Sequence, residues 1–310
     1  MGGSPVIQDI NLSVHRQPLS IGFLVLNYNT WGLALRCLNA AISLESGEIT
    51  EYVLFDDGSP TSPPNEIDPR IRLIRGGANR GYASALGVAF ASMKSDIVVL
   101  LDSDACPLTP FAARVREQFG RDGRLGLLGF MAQDQNGLPT ESFYSEPNQW
   151  SLILGQQLYA RLPRRAPQPS NLCAISACMA TRIEAYAQVG GFDAQFGFND
   201  VDLDYSMRLR RCGWKIAADT SIKVLHKGLG TPILQRRRVL HFYKARWYLL
   251  RKHELLWNAS LVRTLILARL QLEAMILRVF GRYLFRNAEV LADKILGRQE
   301  LISYCRENYR

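Results

Sequence analysis

The sequence lacks the short signatures of several large enzyme classes. It contains no GxGxxG after its first apolar run, no GxxxxGK[ST], no GxSxG and no HExxH. These absences argue against a dinucleotide-dependent dehydrogenase, a P-loop NTPase, a nucleophile-elbow hydrolase and a zinc peptidase. The six cysteines form no CxxC pair. We therefore expect neither a zinc ribbon nor a dithiol redox site, and we predict reduced thiols in a cytoplasmic protein.

Long apolar stretches are also missing. The longest uncharged run lies between Arg16 and Arg36 and is interrupted by Pro18, Asn27 and Asn29, which favours a strand, a turn and a helix start over a membrane span. The N-terminal sequence MGGSPVIQDINLSVHR has no basic segment followed by an apolar one, so we expect no signal peptide. With 310 residues, 47% hydrophobic and 21% charged, the chain has the composition of one large or two ordinary folded domains.

The net charge of +9 is concentrated in the C-terminal part of the chain. Residues 235–310 hold 16 Lys and Arg against 6 Asp and Glu, whereas residues 1–234 hold 21 against 22. Apolar and basic residues recur there at helical spacing. We therefore predict a main domain at 1–234 and an extension of two or three basic amphipathic helices at 235–310.

Two explanations of this extension remain open. It could dock the protein on an anionic membrane surface, at the inner face of the cell membrane, as an interfacial amphipathic helix does. Alternatively, its apolar face could pack on the main domain or form a homodimer, with the arginines in solvent. Nucleic acid is not expected as a ligand, because the polar strand ends of the main domain are acidic.

Strand and helix patterns alternate through the first half of the chain. Helical spacing follows the turn at Asn29 and Thr30 and returns over residues 81–93. Short, continuously apolar runs predict buried strands at 20–26, 52–55, 71–74 and 97–101, and later runs predict strands at 172–179 and 222–225. This alternation is typical of an α/β fold with a mostly parallel sheet, which binds its ligands at the carboxyl ends of the strands.

Acidic residues follow two of these strands. Asp102 and Asp104 flank Ser103 at one strand end, where their carboxylates could hold a Mg²⁺ or Mn²⁺ ion that also contacts phosphate oxygens. Asp56 and Asp57 follow another strand, where a carboxylate could accept a hydrogen bond from a ribose or a base. A solvated turn is the alternative explanation in both places.

A third acidic segment lies at the start of a helix that the spacing predicts over 199–212. Asp200, Asp202 and Asp204 lie within one turn of chain, and acidic residues at a helix start are expected from the helix dipole alone. Three of them exceed what a cap requires. Asp200 and Asp204 would share a helix face and raise one another's pKa, which suits a general base. His226 follows another apolar run and gains significance only if it lies near Asp104.

The order of these segments is more specific than any one of them. The chain contains, in sequence, LNYN, FDDGS, NRGYASALGVAF, VVLLDSDA, CMATRIEAYAQVGGFDAQF, NDVDLDYSMRLRRCGWKI and LH. This order resembles the family 2 glycosyltransferases of GT-A fold, in particular the rhamnosyltransferase-like branch that builds cell-surface polysaccharides. The resemblance covers about residues 20 to 227. It implies a GT-A-type central sheet flanked by helices and an inverting transfer from a nucleotide-diphosphate sugar to a glycan or lipid-linked glycan acceptor.

The resemblance also assigns a donor-binding region. It implies that Asn27 and Asn29 lie beside the nucleotide and that Asp56, with Asp57 next to it, contacts the base or the ribose. Asn79 and Gly81 match an Asn-x-Gly element that shapes the nucleotide pocket. The Gly-Gly-Phe-Asp turn at 190–193 would border the donor sugar and the acceptor.

The remaining matches concern the reaction itself. Asp104 matches the metal ligand, Asp102 assists it and contacts the donor, and His226 matches a histidine that binds the metal in some relatives. Asp200 matches the general base. The family's acidic residue before that aspartate is replaced here by Asn199, which cannot accept a proton, so acceptor preference cannot be transferred by analogy.

Two rival functions fit parts of the pattern. A sugar-1-phosphate nucleotidyltransferase shares an α/β core and a metal requirement, but it should carry a glycine-rich basic loop after the first strand, where this chain has Asn-Tyr-Asn-Thr-Trp. A nucleotide-sugar-binding scaffold subunit without catalysis is the other. The joint presence of Asp102, Asp104 and Asp200 argues against it.

Overall fold

The computed structural model describes residues 18–45, 47–140, 142–163, 165–226 and 235–309. Residues 1–16, which were considered above for a signal peptide, lie outside these ranges. The strands are β1 (Ile21–Asn27), β2 (Glu51–Asp56), β3 (Ile71–Arg75), β4 (Ile97–Asp102), β5 (Ala105–Pro107), β6 (Leu125–Gln133), β7 (Phe143–Ser145), β8 (Leu172–Ala174), β9 (Cys178–Arg182) and β10 (Lys215–His226). The helices are α1 (Trp31–Leu44), α2 (Tyr82–Ala91), α3 (Ala112–Arg121), α4 (Trp150–Ile153), α5 (Gln156–Ala160), α6 (Ile183–Gln188), α7 (Val201–Arg211), α8 (Gln235–Lys252), α9 (Ala259–Leu284) and α10 (Ala288–Asn308).

Eight strands form one twisted central sheet in the order β3-β2-β1-β4-β9-β6-β10-β5. Strands β1 to β4 are mutually parallel, as are β6 and β10, whereas β9 and β5 run antiparallel to their neighbours. Strands β7 and β8 form a separate antiparallel pair. The predicted α/β fold with a mostly parallel sheet flanked by helices is therefore confirmed.

The apolar runs that predicted strands are explained by burial on both faces of the sheet. In β1, Phe23 and Val25 point to one hydrophobic cluster, with α1 and α3, and Leu24 points to the other, with α2 and α7. Because helices cover both faces, such a strand shows no polar alternation. The same layering brings the carboxyl ends of β1, β2 and β4 to one edge, where Asn27 pairs in register with Asp56 and Leu26 with Asp102.

Three elements differ from the sequence-based expectations. The apolar stretch 172–179 is split into β8 and β9 by a turn, and 222–225 is the end of the longer strand β10. Helix α7 begins at Val201 rather than at Asn199. Asp200 precedes it in the left-handed region, with φ 62°, a conformation that costs free energy in a residue other than glycine.

The C-terminal extension consists of three helices, as expected. One apolar side of each packs within the described chain: Ala245 and Leu249 of α8 join the cluster that contains α2 and α7, and α8, α9 and α10 form a further cluster with α4. Both explanations of the extension remain open, because α9 also exposes large apolar residues. The predicted boundary at 234/235 adjoins the stretch 227–234, which lies outside the described residues. Within those residues, no helix combines the length and hydropathy needed to cross a bilayer.

Candidate active site

Three predicted metal ligands converge at the end of β4. Their ligand atoms, from Asp102, Asp104 and His226, all lie within 4.8 Å of one another, and Nε2 of His226 is 3.5 Å from Oδ1 of Asp104. The sheet explains the convergence. Strand β5 follows directly after the Asp-Ser-Asp turn and pairs antiparallel with the end of β10, which places His226 opposite Ala105.

The electrostatics of this cluster follow from burial. Loss of solvent raises the pKa of Asp102 to about 6, although the hydroxyl of Tyr82, 2.9 Å from its Oδ1, opposes the shift. The hydrogen bond with Asp104 raises the pKa of His226, and burial opposes that shift. The cluster thus brings two partly buried carboxylates and an imidazole close together. This set of ligand atoms suits Mn²⁺, and the carboxylates also suit Mg²⁺.

The predicted donor-binding residues at the first strand end form a hydrogen-bonded network. Nδ2 of Asn27 donates to Oδ1 of Asp56 at 2.8 Å, and the backbone N–H of Asn29 donates to Oγ of Ser59 at 2.7 Å. Asp56 is fully buried and also accepts from Ser59 and from Arg75, whose Nε is 3.2 Å from Oδ2. Both side chains of the Asn27–Asp56 pair therefore hold the strand-end loops together.

Asp57 performs the same function for the loop before α2. Its carboxylate accepts from the backbone N–H groups of Arg80 and Gly81 at 3.0 and 3.1 Å. Burial raises the pKa of Asp57, and these two hydrogen bonds oppose the shift. Gly81 has φ +81°, which a residue with a β-carbon rarely adopts, and Asn79 accepts from its N–H at 2.9 Å. Asp57 thus fixes the backbone of the predicted Asn-x-Gly element beside the end of β2.

A cavity of about 1110 Å³ opens beside the metal-ligand cluster. Its wall includes Asp102, His226, Asp200, Asp202 and Arg246, so the predicted base and two of the three predicted metal ligands face one space. The donor-binding candidates Asn27, Asn29, Asp56, Asp57, Asn79 and Gly81 are outside this lining. A link between the two regions is the hydrogen bond from the Thr30 hydroxyl to Oγ of Ser103, at 3.0 Å.

Asp200 is held by an arginine of the C-terminal extension. Nε and Nη2 of Arg246, on α8, donate to its two carboxylate oxygens at 2.7 and 2.9 Å, and Nη1 reaches Oγ of Ser151 at 3.0 Å. The side chains of Arg246 and Asp200 are only 12% and 7% exposed. The contact is thus a buried, two-point ion pair in the wall of the cavity, of the kind that fixes a carboxylate in orientation.

The other two aspartates of the acidic segment have different environments. Burial raises the pKa of Asp202 to about 6; its carboxylate accepts from the backbone N–H of Ser176 at 3.2 Å, which opposes that shift. Burial also acts on Asp204, but hydrogen bonds from His253 and Lys252 hold the pKa of Asp204 below its usual value. The expectation that a neighbouring carboxylate raises the pKa of Asp204 is therefore wrong, because Arg208 of α7 and Lys252 of α8 pair with that carboxylate.

Sequence reasoning missed two functional candidates. Tyr82 contacts both Asp102 and Ser176, at 2.9 and 3.1 Å, and only its place after the Asn-x-Gly element hinted at a site. Arg246 lies 46 residues after Asp200 in the segment treated as an extension. Its sequence signal was an arginine in a helix with several others, which does not distinguish a buried ion pair from a solvated face.

The comparison with protein families accords with this geometry. A family model described as Glycosyl transferase family 2 matches residues 23–190, more than half of the chain. The chain belongs to glycosyl transferase family 2. It is accordingly a glycosyltransferase that acts on nucleotide sugars, and the resemblance inferred from the order of its motifs is confirmed.

Among curated proteins, this glycosyltransferase is similar to N-acetylglucosaminyl-diphospho-decaprenol L-rhamnosyltransferase of Mycobacterium tuberculosis, in strains H37Rv and CDC 1551. The two chains are 25% identical over 258 residues, which span 73% of the glycosyltransferase and 83% of the relative. The predicted placement in a rhamnosyltransferase-like branch agrees with this relative.

Two solved structures share the fold. The mannosyltransferase PcManGT from Pyrobaculum calidifontis, in complex with GDP-Man and Mn²⁺, is 18% identical with a TM-score of 0.54, over 94% of the glycosyltransferase and 87% of that chain. GalNAc-T7, with UDP, GalNAc and Mn²⁺, is 15% identical with a TM-score of 0.53, over 75% of the glycosyltransferase and 50% of that chain. These likenesses concern the fold and agree with the predicted GT-A type.

Proposed function

We propose that this glycosyltransferase moves a sugar from a nucleotide-diphosphate donor to an acceptor hydroxyl with inversion at the anomeric carbon. The observation that supports the proposal is one cavity whose lining includes the predicted base Asp200 together with Asp102 and His226 of the metal-ligand cluster. Inversion needs a base and a stabilised leaving group acting on the same reacting carbon from opposite sides, and this cavity holds a candidate for each.

A divalent cation, Mn²⁺ or Mg²⁺, fits the cluster of Asp102, Asp104 and His226. When bound there, it would supply positive charge against the negative charge that develops on the departing nucleoside diphosphate. The chain's own residues prepare this position. Tyr82 holds Asp102 through its hydroxyl, and strand pairing between β5 and β10 holds His226 beside Asp104.

Asp200 acts as the general base in this proposal. It takes the proton from the acceptor hydroxyl as that oxygen bonds to the anomeric carbon, while the bond from this carbon to the diphosphate oxygen breaks. Each carboxylate oxygen has two lone pairs, so the two contacts from Arg246 leave a lone pair on each oxygen for the acceptor. Arg246 is thus a positioning residue, which orients the base by holding both of its oxygens.

The strand-end network supports the donor's nucleotide. We assign to Asn27, Asn29, Asp56 and Asp57 the shaping of that pocket, with Asn79 and Gly81 at its rim. Because Asp56 is fully buried and engaged by several donors, its contribution is to hold the loops that contact the base and ribose. Asp57, which is 3% exposed, contributes in the same way through the loop at Arg80.

The acceptor that we propose is a lipid-linked glycan in the synthesis of a cell-surface polysaccharide. The support is the M. tuberculosis relative, whose name specifies an N-acetylglucosaminyl-diphospho-decaprenol acceptor and an L-rhamnosyl group. L-Rhamnose nucleotides are accordingly the first donors to test. In this proposal the reaction takes place in the cytoplasm, at the inner face of the cell membrane.

The experiment is a donor panel with the full chain, Mn²⁺ and a short-chain analogue of N-acetylglucosaminyl-diphospho-polyprenol. Release of nucleoside diphosphate identifies the donor, and NMR of the product reports its anomeric configuration. A product whose configuration is opposite to that of the donor supports the proposal. Retained configuration contradicts the inverting mechanism, and donor binding without any turnover supports the scaffold alternative.

A further inference from the structure

Helix α9 carries an apolar stripe that the rest of the described chain leaves exposed. The helix spans 26 residues, about 39 Å at 1.5 Å per residue. Its inner face is buried through Val262, Ile266, Leu270 and Ala274. Large apolar residues on the remaining surface of the helix are exposed: Leu261, Leu265, Leu272, Met275, Ile276, Val279, Phe280, Tyr283 and Leu284. We call this set the α9 stripe.

The stripe is most exposed at its C-terminal end. Val279 and Phe280 are 55% and 56% exposed, and Tyr283 is 84% exposed. At the same height along α9, the side that faces α10 is tightly packed: a β-carbon on Gly281 would lie 2.5 Å from the Leu291 side chain of α10. The exposed end is therefore the tip of a tightly packed helical hairpin rather than a loose helix. Large apolar residues grouped in this way mark an interaction surface.

The charges beside the tip are mostly positive. Arg278 and Arg282 lie one turn apart along one side of the stripe and are exposed, and Arg286 follows in the exposed turn to α10. One exposed carboxylate, that of Glu289, lies in the first turn of α10, whereas Glu273 pairs with Arg269 and Arg298 and Asp293 lies 3.5 Å from Arg236. An apolar stripe flanked by arginines complements an anionic lipid surface, which takes up the side chains and attracts the guanidinium groups.

The hairpin also connects this surface to the active-site cavity. Arg269, near the middle of α9, contacts Tyr243 and the carbonyl of Leu152, and Ser151, the residue before Leu152, lines the cavity. From Arg269 to Tyr283 the helix rises about 21 Å.

We propose that the tip of the α9–α10 hairpin, from Leu272 to Arg286, docks the glycosyltransferase on an anionic phospholipid surface. Val279, Phe280 and Tyr283 enter the interface, and Arg278, Arg282 and Arg286 contact the lipid phosphates. Only the tip is needed, since α8 and the inner face of α9 are occupied by contacts within the chain. The inference concerns a binding surface and holds whether or not the acceptor is the one proposed above.

The test is co-sedimentation of the full chain with vesicles of phosphatidylcholine, with and without 30% phosphatidylglycerol, in the absence of substrates. The first variant carries Arg278→Gln and Arg282→Gln. It should lose about thirtyfold in apparent affinity for the anionic vesicles, about fivefold for each charge. The matched control carries Arg36→Gln and Arg121→Gln, which remove the same charge from exposed positions on α1 and α3 and should bind like the wild type.

A second variant tests the apolar part of the surface. Phe280→Ser with Tyr283→Ser leaves the buried face intact, so circular dichroism and the melting temperature should match the wild type, while vesicle binding falls at least tenfold. Binding to anionic but not neutral vesicles, weakened by salt, is the expected wild-type behaviour. Absence of binding at low salt overturns the proposal, as does equal loss in the control. A dimer in light scattering that the Ser variant dissociates, without vesicle binding, would assign the stripe to a second copy.

Discussion

The buried pair of Arg246 and Asp200 allows a quantitative prediction, because both partners are almost inaccessible to solvent. Removing one partner of a buried ion pair leaves an uncompensated charge and typically costs about 3–5 kcal/mol of stability. We therefore expect Arg246→Met to lower the free energy of unfolding by that amount. Arg246→Lys should lose less, since it keeps the charge but cannot make the two-point contact.

The magnitude is best obtained from a double-mutant cycle. Asp200→Asn is suited to it, because asparagine tolerates the left-handed backbone at this position. Removing both charges should cost less than the sum of the single changes, by roughly 1–3 kcal/mol. Urea unfolding of the four proteins measures this difference. The matched control is the pair of Arg70 and Asp68, which is largely exposed on the Arg70 side and should couple by under about 1 kcal/mol.

The same variants separate positioning from donor binding. If Arg246 orients the base, Arg246→Lys and a stably folded Arg246→Met should lower kcat while the Kd for the donor, measured by calorimetry, stays near the wild-type value. Added guanidinium should restore part of the activity of Arg246→Ala. Strict additivity in the stability cycle, or a loss confined to donor affinity, would refute the account of Arg246 as the group that holds the base.

Three further predictions follow from the site. Asp104→Ala should abolish divalent-dependent turnover with the fold retained by circular dichroism; unchanged metal dependence would remove Asp104 from the ligand set. Asp56→Ala should weaken nucleoside diphosphate binding in calorimetry and also lower the melting temperature, because the strand-end network loses its centre; equal affinity would place the nucleotide elsewhere. The pKa of Asp202, about 6 in the folded protein and near 4 when unfolded, means that the folded state binds the proton more tightly, so this group's contribution to stability falls as pH rises from about 4 to about 6. Asp202→Asn should therefore stabilise the protein relative to wild type progressively across that window in urea titrations, and a pH-independent difference would contradict the shift.

The parts of the fold that sequence reasoning predicted are those with local signals. Continuously apolar runs identified β1 to β4, and their polar ends located Asp56 and Asp102, because a strand buried on both faces shows its limits in hydrophobicity alone. The end of β10 was predicted from the apolar run before His226, but its earlier residues over Lys215–Asp219 mix buried and exposed positions without a regular period and were not distinguished from a loop. Strand β6 was not predicted, although β10 pairs with it in parallel along most of its length.

The parts of the site that could not be predicted depend on contacts distant in sequence. Nothing local distinguishes Asp204 from Asp200, yet Lys252 and His253 contact the former and Arg246 holds the latter. Arg246 and Lys252 belong to α8 and His253 follows it directly, in the segment that composition alone set apart as an extension. Asp202 likewise depends on a distant contact, because its carboxylate accepts a hydrogen bond from the backbone N–H of Ser176. Ser176 lies in the turn between β8 and β9, so this contact depends on how those two strands are arranged.

The central claim is that Asp200 removes the acceptor proton in this cavity, and single-turnover transfer by aspartate variants tests it most directly. With the donor found in the panel bound at saturation, Asp200→Asn keeps the size of the side chain and removes its ability to accept a proton. We predict that the transfer rate falls on the order of a hundredfold or more, with donor affinity retained. The contradicting result is an active Asp200→Asn protein beside an inactive Asp202→Asn protein, which would assign the base to Asp202.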